Sequence, residues 1–342
     1  MTDIDRLVAL YLALQPIPTS LIDSLASSQN EIIAQLLRNP HLDTYPPTPE
    51  YQRRIWKRIV TALEERDVEV DDEMYSHLIE LMNIPPRPGA PAASYLTYLL
   101  PCDPAPDSPV WRNLPRLDTF RRDRRPIAIL ESRTWIERGT TGLRTWSASL
   151  DLAEWVSENS HLVCSAHVLE LGSGVGLLGL TIAALQQPSQ ASLASDDAPD
   201  GTPKRMPCVF MTDVNEEVLA RCTANLHLPC NMSDGQHAQV RALDWADSVD
   251  PTRAAYVHAI LDEVDADVIL AADVVYDPSI IPPLARTLRL ALDRPVSIDL
   301  TAKRVAYVAL TLRREETFAK FIESVGESLL VVLASQGLDN TD

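Results

Sequence analysis

Two side chains that can act on an amine lie close together at Asp273 and Tyr276, just after the apolar run Val268–Ala272. A carboxylate attracts and orients an ammonium group and helps to remove its water before the proton leaves. A phenol beside it adds a hydroxyl group that can face the same amine. The small side chain of Ala272 lets a second reactant come close. We therefore predict Asp273 and Tyr276 as catalytic residues that act on an amine.

A glycine-rich turn follows the apolar strand predicted at Val168–Leu171 and leads into a helix. Glycine tolerates positive φ and close approach of a ligand to the backbone. The pattern Glu-x-Gly-x-Gly-x-Gly, from Glu170 to Gly176, is similar to that of S-adenosylmethionine-dependent methyltransferases. The first amides of the helix would help to orient the carboxylate of that cofactor. We predict these cofactor-binding residues in the turn: Glu170, Gly172, Ser173 and Gly174.

Two other interpretations of this turn remain open. A dinucleotide-binding GxGxxG pattern fits Gly174, Gly176 and Gly179, but it leaves Gly172 and Ser173 between the strand and the first required glycine. A plain corner between a strand and a helix needs fewer glycines than the four present here. The methyltransferase pattern fits better than either alternative.

Acidic residues also follow the next two predicted strands. Asp213 lies 37 residues after Gly176, and without an insertion of about twenty residues it has the usual spacing of an acid that binds ribose hydroxyls. Asp244 can accept a hydrogen bond from the amine of adenine, and Trp245 offers a flat apolar wall. The alternatives are an N-cap role for Asp213 and a capping aspartate beside a buried tryptophan for Asp244 and Trp245. We predict all three, together with Ala272, to contact the cofactor.

The residues around Asp273 also indicate the class of substrate. Methyltransferases that act on adenine or on glutamine amides often carry an Asn/Asp-Pro-Pro-Tyr/Phe turn here, which holds a planar nitrogen. The segment Asp273–Tyr276 contains no proline. A carboxylate without that turn favours a lysine ammonium. Methyl transfer is then an in-line displacement at a sulfonium, in which alignment supplies most of the acceleration and no metal is required.

The elements that must position these residues fall into two parts. Apolar residues recur at helical spacing through the first eighty or so positions, and Thr48 before Pro49 is a typical helix start. Strands alternate with helices after residue 127, which predicts a parallel sheet with helices on both faces. We predict a helical region at 1–100, a basic, proline-rich loop at 101–126 and a catalytic domain at 127–342, with a disordered insertion at 186–207.

Composition narrows the choice of partners and location. The 342 residues carry a formal net charge of −18, which repels nucleic acid and anionic lipid, so we expect neither as a partner. Five cysteines without a CxxC pair indicate reduced thiols and no zinc ribbon. The N-terminus is acidic and no apolar run reaches membrane-spanning length, so we expect a cytoplasmic protein, and a monomer.

A longer motif links this chain to a known family. The segment Gly139-Thr140-Thr141-Gly142-Leu143-Arg144-Thr145-Trp146 resembles a signature of the seven-stranded lysine-specific protein methyltransferases, and within them of the group that acts on elongation factor 2. Further matching segments follow in the family's order, and the N-terminal helices match more weakly. The segments are Ser94–Leu96, Leu130–Ser132, Leu243–Trp245, Ala271–Tyr276 and Ala306–Arg313.

The resemblance implies a fold, a cofactor and a substrate. The fold would be an α/β, seven-stranded, Rossmann-like class I methyltransferase sheet with helices on both faces, preceded by an α-helical region. Trp146 would join Gly172, Ser173, Gly174, Trp245 and Ala272 in contacting S-adenosylmethionine, and the acceptor would be one lysine of elongation factor 2. The alternatives are methylation of another protein or a small amine, and a protein that binds the cofactor without turnover. A nicotinamide oxidoreductase is the least favoured.

Overall fold

The chain forms two units, each with its own buried core. The computed structural model describes residues 2–85, 88–101, 124–186, 205–231, 237–294, 304–326 and 330–335. The first unit contains the described residues up to Leu99 together with those from 124 to Trp135, and the second contains Leu100, Pro101 and the described residues from Ile136 onward. Most of the predicted basic loop and of the predicted insertion lies outside the described residues, at 102–123 and 187–204.

Amphipathic helices build the N-terminal unit, as the helical spacing of its apolar residues predicts. In the longest helix Tyr51, Ile55, Ile59 and Leu63 are all buried on one face. Thr48 caps it, because its hydroxyl accepts a hydrogen bond from the backbone N–H of Tyr51 at 3.3 Å. The helices are α1 (Asp3–Leu12), α2 (Thr19–Ser24), α3 (Gln29–Ile32, continued by a π-helical turn at Ile33–Leu37), α4 (Pro40–Thr44), α5 (Pro49–Glu64) and α6 (Asp72–Asn83).

Two strands complete this unit. Strand β1 (Ser94–Pro101) pairs with β2 (Arg124–Glu131) in a separate two-stranded sheet. The sequence pattern predicts a catalytic domain that begins at residue 127, inside β2, whereas the contacts place the division after Trp135. The difference has a simple cause, because the pairing of β2 with β1 is a long-range contact that a local pattern does not contain.

The second unit alternates strands and helices along the chain, as predicted. Its helices are α7 (Ser147–Glu158), α8 (Leu177–Leu185), α9 (Glu216–Leu226), α10 (Ala254–Val264), α11 (Ile281–Leu292) and α12 (Glu315–Val325), with short 3₁₀ turns at Ser160–Leu162 and Trp245–Ser248. Its strands are β3 (His167–Leu171), β4 (Cys208–Asp213), β5 (Ala238–Ala242), β6 (Val268–Ala272), β7 (Val305–Thr311) and β8 (Leu330–Ser335).

These strands form one parallel sheet in the order β5-β4-β3-β6-β7-β8. The central strand β3 has Val168, Leu169 and Leu171 almost completely buried, as expected where helices cover both faces. The predicted α/β fold with a parallel sheet is confirmed. The described part of the sheet contains six of the seven predicted strands, and residues 336–342 lie outside the described part.

The order of the strands indicates where a ligand would bind. After β3 the chain builds β4 and β5 on one side, then crosses to build β6 and β7 on the other. Loops therefore diverge at the carboxyl ends of β3 and β6, and a crevice opens there. None of the helices in the described ranges is long and apolar enough to cross a lipid bilayer.

Candidate functional site

A cavity of about 420 Å³ opens at the carboxyl ends of the strands of the main sheet. This volume is in the range of small-molecule and cofactor sites. The turns after β3, β4, β5, β6 and β7 contribute to its walls, together with the segment that precedes α7. Every predicted site residue except Glu170 lines it, namely Trp146, Gly172, Ser173, Gly174, Asp213, Asp244, Trp245, Ala272, Asp273 and Tyr276.

The glycine turn after β3 requires its glycines for conformation and for space. Gly172, Gly174 and Gly176 all have positive φ, at 72°, 55° and 101°. A Cβ atom on Gly172 would lie 2.8 Å from Cγ1 of Val274, which is closer than real Cβ contacts. A Cβ on Gly174 would lie 3.1 Å from the carbonyl oxygen of Gly142. The backbone therefore passes close to neighbouring segments, where a side chain would not fit.

Strand β4 holds the glycine turn in place. The backbone N–H of Ser173 donates to the carbonyl oxygen of Thr212 at 2.8 Å, and the Ser173 hydroxyl accepts from the N–H of Thr212 at 2.9 Å. These two bonds fix Ser173 on the neighbouring strand, so that the cavity floor is rigid where a ligand would lie. Asp213 adds a third connection, because its Oδ2 accepts from the N–H of Gly174 at 3.2 Å.

Asp213 does not cap the helix that follows it. Its Oδ1 accepts from the N–H groups of Val214 and Asn215 at 2.8 and 3.1 Å. The N-cap of α9 is Asn215, whose Oδ1 accepts from the backbone of Glu217 and Val218. The structure therefore removes the capping alternative for Asp213 and leaves its carboxylate on the cavity wall.

Asp244 and Trp245 combine a structural contact with a place on the cavity wall. Oδ1 of Asp244 accepts from the N–H of Ala246 at 2.8 Å, so this residue does cap the 3₁₀ turn Trp245–Ser248. The indole of Trp245 approaches the position that a Gly172 side chain would occupy, at 3.4 Å from its Cβ. The ring is thus an apolar wall beside the glycine turn, as the sequence predicts.

Asp273 is held in a rare conformation at the end of β6. Its φ is +56°, in the left-handed region that aspartate tolerates better than most residues. Oδ1 accepts from the N–H of Thr311 at 3.0 Å, and Oδ2 accepts from Nη2 of Arg313 at 2.9 Å. The Asp273 carboxylate is almost entirely buried. Arg313 of the same chain therefore pairs with the carboxylate that we predicted to bind a lysine ammonium.

Arg313 also contacts the signature tryptophan. Its Cζ atom lies 5.0 Å from the centroid of the Trp146 ring, within the range of a cation–π contact. The indole N–H of Trp146 donates to the carbonyl oxygen of Thr141 at 3.2 Å, which fixes the orientation of the ring. Arg313 is not among the site residues predicted from the sequence. The one feature of the sequence that pointed to it is its position at the end of the segment Ala306–Arg313, which resembles the family.

Tyr276 stands at the border between two cavities. Together with Arg313 it lines both the main cavity and a smaller one of about 250 Å³, which the start of α12 also borders. Partial burial of the hydroxyl, and then the charges of Asp213 and Asp277, raise the pKa of Tyr276. The phenol is therefore neutral at pH 7 and can donate or accept a hydrogen bond.

Glu170 lies outside the cavity, although the sequence analysis predicts it among the cofactor-binding residues. It is fully buried in β3, and its Oε2 has no hydrogen-bond partner among the described residues. Burial raises the pKa of Glu170 to about 7, although the Ser173 side chain and the Gly179 backbone lower it in part. Glu170 therefore lies next to the glycine turn in the sequence but does not line the cavity.

The raised pKa predicts a pH-dependent stability. Between the ordinary pKa and about 7, folded Glu170 holds a proton that the unfolded chain has lost, so its contribution to stability falls as the pH rises. Glu170→Gln removes this pH dependence. Its free energy of unfolding should therefore rise by about 2 kcal/mol relative to that of the wild type as the pH increases from 5 to 7. Chemical denaturation across this range measures the difference. A difference between the two free energies of unfolding that stays constant from pH 5 to pH 7 would contradict the prediction. As an internal control, this difference should not change with pH below pH 4.

None of the four cysteines that the structure describes lines the cavity. Cys222 is buried in α9, where its sulfur lies 3.7 Å from that of Met211. Cys230 contacts the side chain of Asn231. Across the parts of the chain that the structure describes, no three His, Cys, Asp or Glu side chains are arranged to hold a metal ion.

Comparison with known proteins identifies the family. Residues 126–325 match the model of a family described as lysine methyltransferase. The protein-lysine N-methyltransferase EFM3 of Chaetomium thermophilum is 30% identical over 313 residues, which cover 86% of this chain and 78% of the relative. The protein-lysine N-methyltransferase EEF2KMT is 30% identical in Homo sapiens, over 88% of this chain and 79% of the relative, and 29% identical in Bos taurus, over 87% and 77%. The chain therefore belongs to the lysine methyltransferase family and is an S-adenosylmethionine-dependent protein-lysine N-methyltransferase.

Proposed function

We propose that this enzyme methylates a lysine of elongation factor 2. The observation that carries the proposal is the extent of the similarity to EEF2KMT. The human alignment covers 88% of the chain, whereas the family match begins at residue 126. The similarity must therefore include much of the N-terminal unit, which lies outside the shared catalytic part. A shared N-terminal unit supports a shared protein substrate better than the catalytic fold alone does.

The walls of the main cavity fit S-adenosylmethionine. In this proposal the Asp213 carboxylate binds the ribose hydroxyls, and Asp244 accepts from the adenine amine beside the Trp245 ring. The backbone of Gly172 and Gly174 would hold the amino-acid part of the cofactor. Gly172 and Gly174 support this arrangement, because both line the cavity with bare backbone and neither has room for a side chain.

The cofactor supplies a methyl group on a positively charged sulfur. The chain must bring a neutral lysine amine into line with the bond that breaks. In this proposal Asp273 and Tyr276 orient that amine, since they follow β6 and line the cavity together. Trp146 closes the same end with its ring, which excludes water from the reacting groups.

Intact-mass analysis tests the substrate. Purified elongation factor 2 is incubated with the enzyme and S-adenosylmethionine, and we expect its mass to increase by one or more methyl groups on a single lysine. S-adenosylhomocysteine in place of the donor is the control and should leave the mass unchanged. If elongation factor 2 stays unmodified while the same enzyme methylates another protein or a small amine, the proposed substrate is wrong.

A further inference from the structure

Arg313 occupies a position between a carboxylate and an aromatic ring at the edge of the cofactor cavity. Its guanidinium donates to Oδ2 of Asp273 at 2.9 Å, and its Cζ lies 5.0 Å from the centre of the Trp146 ring. The Asp273 carboxylate is 4% exposed, whereas the Arg313 side chain is 44% exposed. The carboxylate is thus a fixed group, and the arginine is the partner that water can reach.

Thr311 fixes the carboxylate further. Its backbone N–H donates to Oδ1 of Asp273 at 3.0 Å, and its hydroxyl lies 3.4 Å from Oδ2. The backbone N–H of Asp273 in turn donates to the carbonyl oxygen of Ala309 at 2.9 Å. The end of β7 therefore sets both the position of Asp273 and the position of the arginine that pairs with it.

A carboxylate without a partner would hinder methyl transfer. The acceptor lysine must lose its proton before its nitrogen can attack, and an opposite charge within about 4–6 Å favours the protonated ammonium, typically by one to three pKa units. A guanidinium paired with the carboxylate cancels that influence. The pair can still accept a hydrogen bond from a neutral amine, because a carboxylate oxygen has more than one lone pair.

We propose that Arg313 is a positioning residue that neutralises Asp273, so that the carboxylate orients the acceptor amine without keeping it protonated. The inference rests on the methyltransferase activity of this site but not on the identity of the protein substrate. It gives a role to the arginine at the end of the segment Ala306–Arg313. It also revises the view that Asp273 attracts a lysine ammonium as a free carboxylate.

The other charged groups around the cavity lie elsewhere on its wall. Asp213 and Asp244 follow β4 and β5, which are on the opposite side of β3 from β6 and β7. Arg144 lines the cavity from the segment before α7, and Arg314 lines only the smaller cavity. Residues Ile280 and Pro283, at the start of α11, add no charge. Asp273 and Arg313 are therefore the charged pair that follows β6 and β7 in the main cavity.

An amine-bearing analogue of the cofactor tests the inference without any protein substrate. Sinefungin carries a primary amine where the donor has its methyl group, and S-adenosylhomocysteine lacks that amine. Calorimetry at pH 7 gives the ratio of the two dissociation constants. We expect Arg313→Gln to shift this ratio about tenfold in favour of sinefungin, because the Asp273 carboxylate, without its arginine partner, then stabilises the protonated amine. An unchanged ratio would overturn the proposal.

Two further variants separate this role from a purely structural one. Arg313→Lys keeps the positive charge and should restore the wild-type ratio. Arg314→Gln removes the neighbouring arginine, which does not line the main cavity, and should leave the ratio unchanged. Binding of S-adenosylhomocysteine itself reports that each variant is folded. A ratio that changes equally in Arg314→Gln would show a general effect of charge and would reject a specific role for Arg313.

The pH profile of methyl transfer gives a second measure. We expect kcat/KM on elongation factor 2 to rise with pH, and Arg313→Gln to move that rise upward by about one pH unit or more. The same rise in both enzymes would contradict the inference. If the wild type transfers no methyl group to elongation factor 2, the proposed substrate fails, and the ratio measured with sinefungin still decides the role of Arg313.

Discussion

Gly172→Ala is expected to weaken the binding of S-adenosylmethionine by about 100–1,000-fold. The residue has a φ of +72°, where an alanine costs about 1–2 kcal/mol. The added Cβ would also lie 2.8 Å from Cγ1 of Val274 and 3.4 Å from the Trp245 ring. Relief of such overpacking typically costs another 1–3 kcal/mol and displaces the turn on which the ligand rests.

Gly89→Ala is the matched control for this substitution. Gly89 has a φ of +102°, and a Cβ placed there meets nothing within 4 Å. The control therefore introduces the backbone strain without the clash, and it lies outside the residues that line the cavity. Calorimetry of cofactor binding distinguishes the two variants. Equal affinities in Gly172→Ala and in the wild type would show that this turn does not carry the cofactor.

Asp273→Asn is expected to lower the rate of methyl transfer by about 100-fold while changing cofactor affinity only a few-fold. Asparagine also tolerates the left-handed backbone at this position, and its carbonyl oxygen can still accept from the N–H of Thr311. The substitution therefore removes the charge with little change in structure. The ion pair with Arg313 is lost, and the acceptor amine loses its charged hydrogen-bond acceptor, at a site where small misplacements cost about 100-fold.

Labelled methyl transfer and calorimetry measure the two effects separately. Asp277→Asn is the control, because Asp277 is an exposed acid four residues further along that does not line the main cavity. We expect it to retain the wild-type rate. Full activity in Asp273→Asn would show that Asp273 is not a catalytic residue. Loss of cofactor binding would show that Asp273 acts by binding the cofactor.

Much of the catalytic unit could be predicted from local sequence. The strands at Val168–Leu171 and Val268–Ala272 are almost continuously apolar, with Glu170 as the exception, because helices cover the sheet on both sides, and this leaves a clear pattern. The glycines at 172, 174 and 176 signal a turn because few other residues tolerate its backbone angles. Where strands are parallel, the residues just after them meet at one edge, so the cavity wall follows from the strand assignment.

The rest depended on contacts between distant parts of the chain. Arg313 reaches Asp273 across forty positions, and no local pattern indicates that the two side chains are partners. Asn215, and not Asp213, caps α9, and Asp213 accepts a hydrogen bond from Gly174, which lies 39 residues earlier in the glycine turn. Strand β2 joins the N-terminal unit through its pairing with β1, which also lies far from it in sequence.

The shared border of the two cavities has a consequence for inhibitor design. Tyr276 and Arg313 face both the larger and the smaller cavity, so a single compound can occupy the first with a nucleoside and extend a linker past these side chains into the second. A linker with a positive charge must compete with Arg313 for Asp273, whereas a neutral linker leaves that ion pair intact. Selectivity between compounds of the two kinds would thus be set by one guanidinium group.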